Sequence, residues 1–439
     1  MGRFVASTPA EQQEMLKHIG FDSFDGLFAH IPKEVRFKGE LPLDRGLSEM
    51  ETDRALSELS EKNKIYRHIF RGAGAYDHYI PAAVTAITSK EEFVTAYTPY
   101  QAEISQGILQ SIFEFQTMMC ELTGLDASNA SVYDGATAAA EAAAMCRERR
   151  RRTVLVSETT NPQVLQVIKT YCFGSGTPVK VIPAENGVTD LSALKEALTE
   201  ETACFYVQQP NFYGILEDYE SLGNAVHEKG AKFIMGCNPI ALGILKTPAE
   251  YHADIAVGEG QPLGMPLAFG GPYLGFMTAT ASLMRRLPGR IVGETQDAGG
   301  RRTFVLTLQA REQHIRREKA GSNVCSNQAL CALTAGVYLS TLGSDGLAQA
   351  ATLCTSKAHY LLSELEKAGC TRKYDQPFFH EFVTRTPAPA SVILSALREH
   401  QILGGLPLGE NEILWCTTEK NTKSEIDAMV AIVKEVCTR

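Results

Sequence analysis

The chain has 439 residues and a mass of 47.9 kDa, which is long for a single core and predicts two or three domains. Its 42 basic and 51 acidic residues give a net charge of −9, which argues against a nucleic-acid or anionic-membrane partner. Hydrophobic residues at 44% are ordinary for a globular protein, and no apolar run approaches the ~18 residues that a membrane span needs. The first fifteen residues lack the basic-then-apolar layout of a secretory signal. The 11 cysteines form no C-x-x-C pair and read as buried reduced thiols, so a cytoplasmic location is expected. The histidines show no zinc-type spacing, and no metal site is predicted.

Residues 1–95 read as a helical N-terminal extension, with alternating charges over 48–69 marking a solvated helix or two. Glycines, aromatics and prolines mark ordered loops at 71–81 and at Tyr97-Thr98-Pro99-Tyr100-Gln101. Ile104, Ile108, Ile112, Phe115 and Met119 recur at helical spacing, and Gly124 is the expected stop. Apolar runs of strand length follow at 153–157, 179–182, 203–208, 231–236, 254–257 and 274–278. Helical stretches at 162–173, 191–198 and 219–229 lie between them. Continuous apolar strands imply cover on both sheet faces, hence an α/β class with a mostly parallel sheet. The last hundred or so residues return to mixed helix and strand, with a strand at 413–417 and a helix from 424. The expected domains are thus the extension (1–95), a large α/β domain (96–330) and a small C-terminal α+β domain (331–439). The basic run 147–152 reads as the solvated end of the preceding helix.

Two motifs could carry chemistry. Asp134-Gly135-Ala136-Thr137 opens an alanine-rich helix. Its first-turn N–H groups and the Thr137 hydroxyl suit a phosphate, while Asp134 equally suits a plain N-cap. The glycine-dense stretches 258–264 and 270–272 lie where ligands meet strand ends in open α/β sheets, or form a buried structural loop.

Further motifs carry a family resemblance. They are Leu27-Phe28 with Ile31-Pro32, Tyr97-Thr98-Pro99-Tyr100-Gln101, Ser105-Gln106-Gly107, Phe115-Gln116-Thr117 and Thr137-Ala138-Ala139-Ala140-Glu141-Ala142. Phe269-Gly270-Gly271-Pro272, the stretch from Arg311 to Ala320, Ser322-Asn323 and Thr418-Glu419-Lys420-Asn421-Thr422 follow in order. The chain resembles the α subunits (subunit 1) of the P-proteins, the decarboxylating glycine dehydrogenases of the glycine cleavage system. It departs from them at Gly321, where threonine is usual, and at Gly135-Ala136, where Glu-Gly often stands.

The resemblance implies the pyridoxal-phosphate (PLP) transferase fold-type I, which is aminotransferase-like. Such enzymes need a lysine for the Schiff base with PLP and an aspartate at a strand end beside the pyridinium nitrogen. No lysine occurs from Thr247 to Glu318, a 72-residue window holding eight arginines in a chain with 19 lysines. Set against the active sister subunit, Pro262 stands at the lysine position with Gln261 beside it. The strand ending at Gly236-Cys237-Asn238 offers no aspartate. Lys246 and Lys319 are the alternative Schiff-base candidates. PLP is therefore expected on a partner β subunit (subunit 2), in an α2β2 assembly. Together they would decarboxylate glycine and pass the aminomethyl group to the lipoyl arm of H-protein. Tyr97, Tyr100, Lys319 and Asn323 are expected to contribute to the partner's site, and Gly135 and Thr137 to a vestigial phosphate loop.

Overall fold

The continuous apolar runs become a seven-stranded sheet. The computed structural model describes residues 6–37, 39, 41–95 and 99–438. By contacts the chain divides into two units, residues 1–65 and 66–439. The first unit carries helices Pro9–His18 and Glu49–Ser60. Both open on a capping box, in which Thr8 or Ser48 accepts from the N–H of Glu11 or Glu51 while that glutamate's carboxylate reaches back. No residue of Glu49–Ser60 is buried, consistent with its alternating charges.

The second unit begins its main domain with helix α1 (Gln106–Thr123). Its buried face is Leu109, Ile112, Phe115, Gln116 and Met119. Ile104, expected on that face, is 77% exposed, because the helix starts two residues later and Leu109 takes the inward position. Gly124 stops the helix in the left-handed region at φ 74°.

The central strands are β1 (Ala127–Ser128), β2 (Thr153–Ser157), β3 (Val179–Ile182), β4 (Thr202–Gln209), β5 (Lys232–Cys237), β6 (Ile255–Glu259) and β7 (Gly275–Ala279). Their order across the sheet is β1-β7-β6-β5-β4-β2-β3. The five strands from β6 to β3 are parallel, and β7 runs antiparallel to both neighbours. This is the mostly parallel α/β sheet that the apolar runs predicted. Helix α2 (Gly135–Met145) lies against one face with Ala138, Ala139, Ala140, Ala142 and Ala143 all buried. Side chains this small let the helix approach the sheet closely. It ends before the basic run 147–152, which forms the loop into β2 rather than a helix end.

Helix α3 (Ala329–Lys367) spans 39 residues and kinks at Gly343, whose φ is 63° and ψ −175°. It leads into a four-stranded antiparallel sheet built from Thr371–Arg372, Glu381–Arg385, Leu406–Gly409 and Glu412–Cys416. Trp415 sits at the centre of that core, its indole N–H donating to the Thr384 hydroxyl at 2.9 Å. Strand His68–Ile69 pairs in parallel with Ile402–Leu403, so the loop after residue 70 is delivered from this C-terminal part of the chain. Among the described residues no helix is long and apolar enough to cross a membrane.

Candidate functional site

Parallel strands end together, and their carboxyl ends open a cavity of about 530 Å³. Gln208, Asn238 and Glu259 line it from the ends of β4, β5 and β6. The loop 72–76 and the pair His380 and Glu381 close it from the C-terminal side.

At one wall stands the first turn of α2. Asp134 accepts the Thr137 N–H at 2.7 Å, which is the N-cap of this helix. The Gly135 N–H donates to Glu259 Oε2 at 2.9 Å. The other oxygen of Glu259 accepts from the N–H groups of Gln261 (3.0 Å) and Leu274 (2.9 Å). Burial pushes the Glu259 carboxyl up to about 7, against the pull of these three N–H groups. A Cβ on Gly135 would stand 2.7–2.9 Å from Glu259 N, Cα and Cβ, so only glycine fits here. Gly135 and Thr137 thus spend their N–H groups inside the chain.

Gln261 is buried and fully engaged. Its Oε1 accepts the Tyr76 N–H at 2.9 Å, and its Nε2 donates to the carbonyls of Tyr76 (2.9 Å) and Met265 (2.8 Å). Pro262 lines the cavity beside it. Asn238 Oδ1 accepts the Ile240 N–H at 3.0 Å, capping the turn after β5. The Tyr76 hydroxyl donates to Glu381 at 2.8 Å, and the Ala73 N–H reaches the same carboxylate at 2.6 Å. Burial drives the Glu381 carboxyl up to about 7 and the His380 imidazole down to about 3. His380 is therefore neutral, 4.7 Å from the Tyr76 ring, with a buried Nδ1 that has no hydrogen-bond partner.

These residues do not fit PLP. Among the described residues no lysine or arginine lines the cavity. A carboxylate already takes the helix N–H that a cofactor phosphate would use. Neither alternative lysine reaches the site: the Lys246 ammonium lies over the Tyr251 ring at 5.5 Å, and Lys319 faces a different cavity.

That second cavity, about 320 Å³, is basic on balance, with Glu141 and Glu312 the acidic residues in its lining. Arg147, Arg285, Arg286, Arg311, Arg316 and Lys319 line it. One Arg311 nitrogen donates to the Leu287 carbonyl, while its Nε and Nη2 are buried without acceptors. Burial holds this guanidinium below its usual range. Glu312 pairs with Arg290, whose guanidinium lies 5.2 Å from the Tyr100 ring. The Tyr100 hydroxyl donates to Asn327, and burial pushes its pKa up. The structure thus brings Lys319 to the basic cavity and leaves Asn323 exposed outside both cavities. Tyr100 packs against the buried cluster of Leu109, Ile112, Ala130, Val292 and Phe304. Tyr97 lies outside the described residues. Sequence reasoning missed Glu259, Tyr76, Glu381 and Arg311. The glycines at 258–264 pointed to the first of these, the loop at 71–81 and the motif from Arg311 to Ala320 enclosed Tyr76 and Arg311 without giving them a role, and nothing local pointed to Glu381.

The family model for the glycine cleavage system P-protein matches residues 2–433. The chain belongs to the glycine cleavage system P-protein family. Relatives named probable glycine dehydrogenase (decarboxylating) subunit 1 align along nearly the whole chain. The one from Geobacillus thermodenitrificans is 51% identical, covering 98% of this chain and 98% of the relative. That from Chlorobium limicola is 51% identical, covering 97% and 98%. A crystal structure of glycine decarboxylase (P-protein) of the glycine cleavage system, in inhibitor-bound form, matches with a TM-score of 0.92. It is 41% identical and covers 99% of this chain and 100% of that one. An alanine–glyoxylate aminotransferase from a Nostoc species, 16% identical with a TM-score of 0.59, shares the fold over 92% of this chain and 99% of its own. The P-protein family and the fold-type I architecture expected from the sequence both stand.

Proposed function

We propose that this chain is the α subunit of a glycine dehydrogenase (decarboxylating), active in a complex with a β subunit. One observation carries the division of labour: among the described residues the strand-end cavity has no lysine or arginine, and the Gly135 N–H is already taken by Glu259. A PLP enzyme of this fold needs both a lysine and an anion site. The β subunit therefore holds the cofactor, which supplies an electron sink for loss of the glycine carboxylate as CO2. The aminomethyl group then passes to the lipoyl arm of H-protein. The family resemblance favours an α2β2 assembly, and the unpaired cysteines favour the cytoplasm.

In this reading the α chain works across the interface. Lys319 and Arg316 supply positive charge where an anionic substrate or cofactor group of the partner approaches. Tyr100 and Asn323 contribute near the entrance to that shared site. Tyr100 acts there as a positioning residue, because its hydroxyl is held by Asn327.

Mixing the chain with its β subunit and assaying glycine–bicarbonate exchange tests the assignment. Neither subunit alone should match the pair. A β subunit equally active without the chain would make the chain a scaffold. Borohydride reduction of the chain with PLP, followed by peptide mapping, should yield no stoichiometric pyridoxyl-lysine. A full-occupancy adduct on Lys246 or Lys319 would show that the chain carries the cofactor itself.

A further inference from the structure

The first turn of α2 is the place where this fold exposes backbone N–H groups to a phosphate. Here three N–H groups from three separate segments converge on one side chain. Gly135 comes from the helix start, Gln261 from the turn after β6, and Leu274 from the approach to β7. A carboxylate that accepts three N–H groups has the oxygen pattern of a bound oxyanion. The approach is built into the backbone, since β6 runs so close beneath Gly135 that no Cβ fits between them. The following loop cannot swing the carboxylate away, because Gln261 is itself fastened to Tyr76 and Met265. Asp134, Glu259 and Glu381 all line the cavity, with no lysine or arginine among the described residues to balance them.

We propose that Glu259 is an internal substitute for a bound phosphate, holding the first turn of α2 in its anion-binding form and closing this cavity to phosphate-bearing ligands. The proposal deepens the reading above and rests on it for the identity of the displaced group. It says why the chain keeps an ordered cofactor-type cradle without a cofactor. The helix N-terminus, which would otherwise present unpaired donors, carries its own anion. The same anion repels any phosphate that enters.

The test is made on the full chain, with inorganic phosphate as the probe and the Gly135 amide as the reporter. Labelling aspartate carbonyls and glycine nitrogens together selects Asp-Gly pairs, which occur only at Gly26, Gly135 and Gly346. In the wild type the Gly135 resonance should not respond to millimolar phosphate. In Glu259→Ala it should shift saturably. Phosphate held in the basic cavity would leave Gly135 unmoved, so the two sites are distinguished. A saturable response of Gly135 in the wild type overturns the proposal, as does no response in a folded Glu259→Ala.

Should that variant fail to fold, a pH titration of the wild type decides. The Gly135 amide, which donates to Glu259 Oε2, should move with ionisation of that carboxyl wherever its midpoint falls, and a resonance unmoved from about pH 3 to about pH 9 overturns the proposal. Either negative leaves the subunit assignment intact. A pyridoxyl-lysine in the borohydride experiment would sink the assignment without reference to Gly135.

Discussion

Gln261 makes three side-chain hydrogen bonds in the turn after β6. Truncation to alanine would leave the Tyr76 N–H and two carbonyls without partners in a buried place. Each costs about 1–3 kcal/mol when unsatisfied, with partial relief from entering water. Gln261→Ala should therefore lower unfolding free energy by roughly 2–4 kcal/mol in urea titrations. A loss under about 0.5 kcal/mol would show that the clamp is dispensable.

Glu381 gives a pH prediction with a definite sign. Its folded pKa lies near 7, above the ordinary carboxyl value, because burial disfavours the anion. A raised carboxyl pKa means that the native state binds the extra proton. Its contribution is complete below about pH 4.5 and is lost as pH rises through 7, at up to about 1.4 kcal/mol per pH unit. His380 has the opposite slope, since its depressed pKa makes stability fall as pH drops from about 6.5 toward 3. Glu381→Gln should remove the first effect and leave the second. Melting temperature should then rise with pH between 5 and 7 more steeply in the variant than in the wild type. At this scale the sequence was legible where partners are near neighbours, as for Asp134 capping Thr137. The Gly135–Glu259 bond joins residues 124 positions apart, and no local pattern records it.

Elements were legible in proportion to their regularity. Six of the seven central strands had bounds within a residue or two of expectation, most of them because both faces are buried and the apolar run is unbroken, whereas the two-residue β1 was not foreseen. Helix α3 was not foreseen at all. Gly336, Gly343 and Gly346 interrupt its pattern, and Gly343 is in fact non-helical. A residue at φ 63° and ψ −175° lies in a region that is essentially reserved for glycine. Gly343→Ala meets no atom within 4 Å, so its cost is backbone strain alone, about 1–3 kcal/mol. Gly124→Ala combines left-handed geometry with a Cβ placed 2.7 Å from Ala249 Cβ, and should cost more. Equal losses in paired unfolding curves would mean that the loop at Ala249 yields freely.

For the molecule as a whole the notable asymmetry is electrical. A chain with net charge −9 gathers six cationic side chains around one 320 Å³ cavity. Composition showed the sum and hid the clustering, which arises only when the segments near 147, 285 and 311–319 fold together. If that cavity serves an anionic group of the β subunit's site, Lys319→Met should reduce exchange activity of the reconstituted complex about tenfold or more with assembly intact. Raising salt should shrink the difference between wild type and variant, because exposed charges are screened beyond about 10 Å at 0.1 M. Unchanged activity would confine Lys319 to the surface. Tyr100→Phe provides the companion measurement. It keeps the ring beside Arg290 and removes only the bond to Asn327, so a loss of turnover with unchanged melting temperature would place that hydroxyl in positioning the entrance.

The segment 66–79 carries one more consequence. Its near end is woven into the C-terminal part through Ile69, whose carbonyl accepts from Asn421 Nδ2. Its far end is held by Thr418, Glu419 and Lys420. In between, Tyr76 is gripped by Gln261, and the Ala73 carbonyl by Asn161, from the central sheet side. The segment is thus a tie-bar with both ends on one half of the cleft and its middle bolted to the other. Any hinge between the halves must shear those central bonds before it can open. Those central bonds hold the cleft at its present aperture, and amide exchange at Tyr76 should be as slow as in the strands themselves.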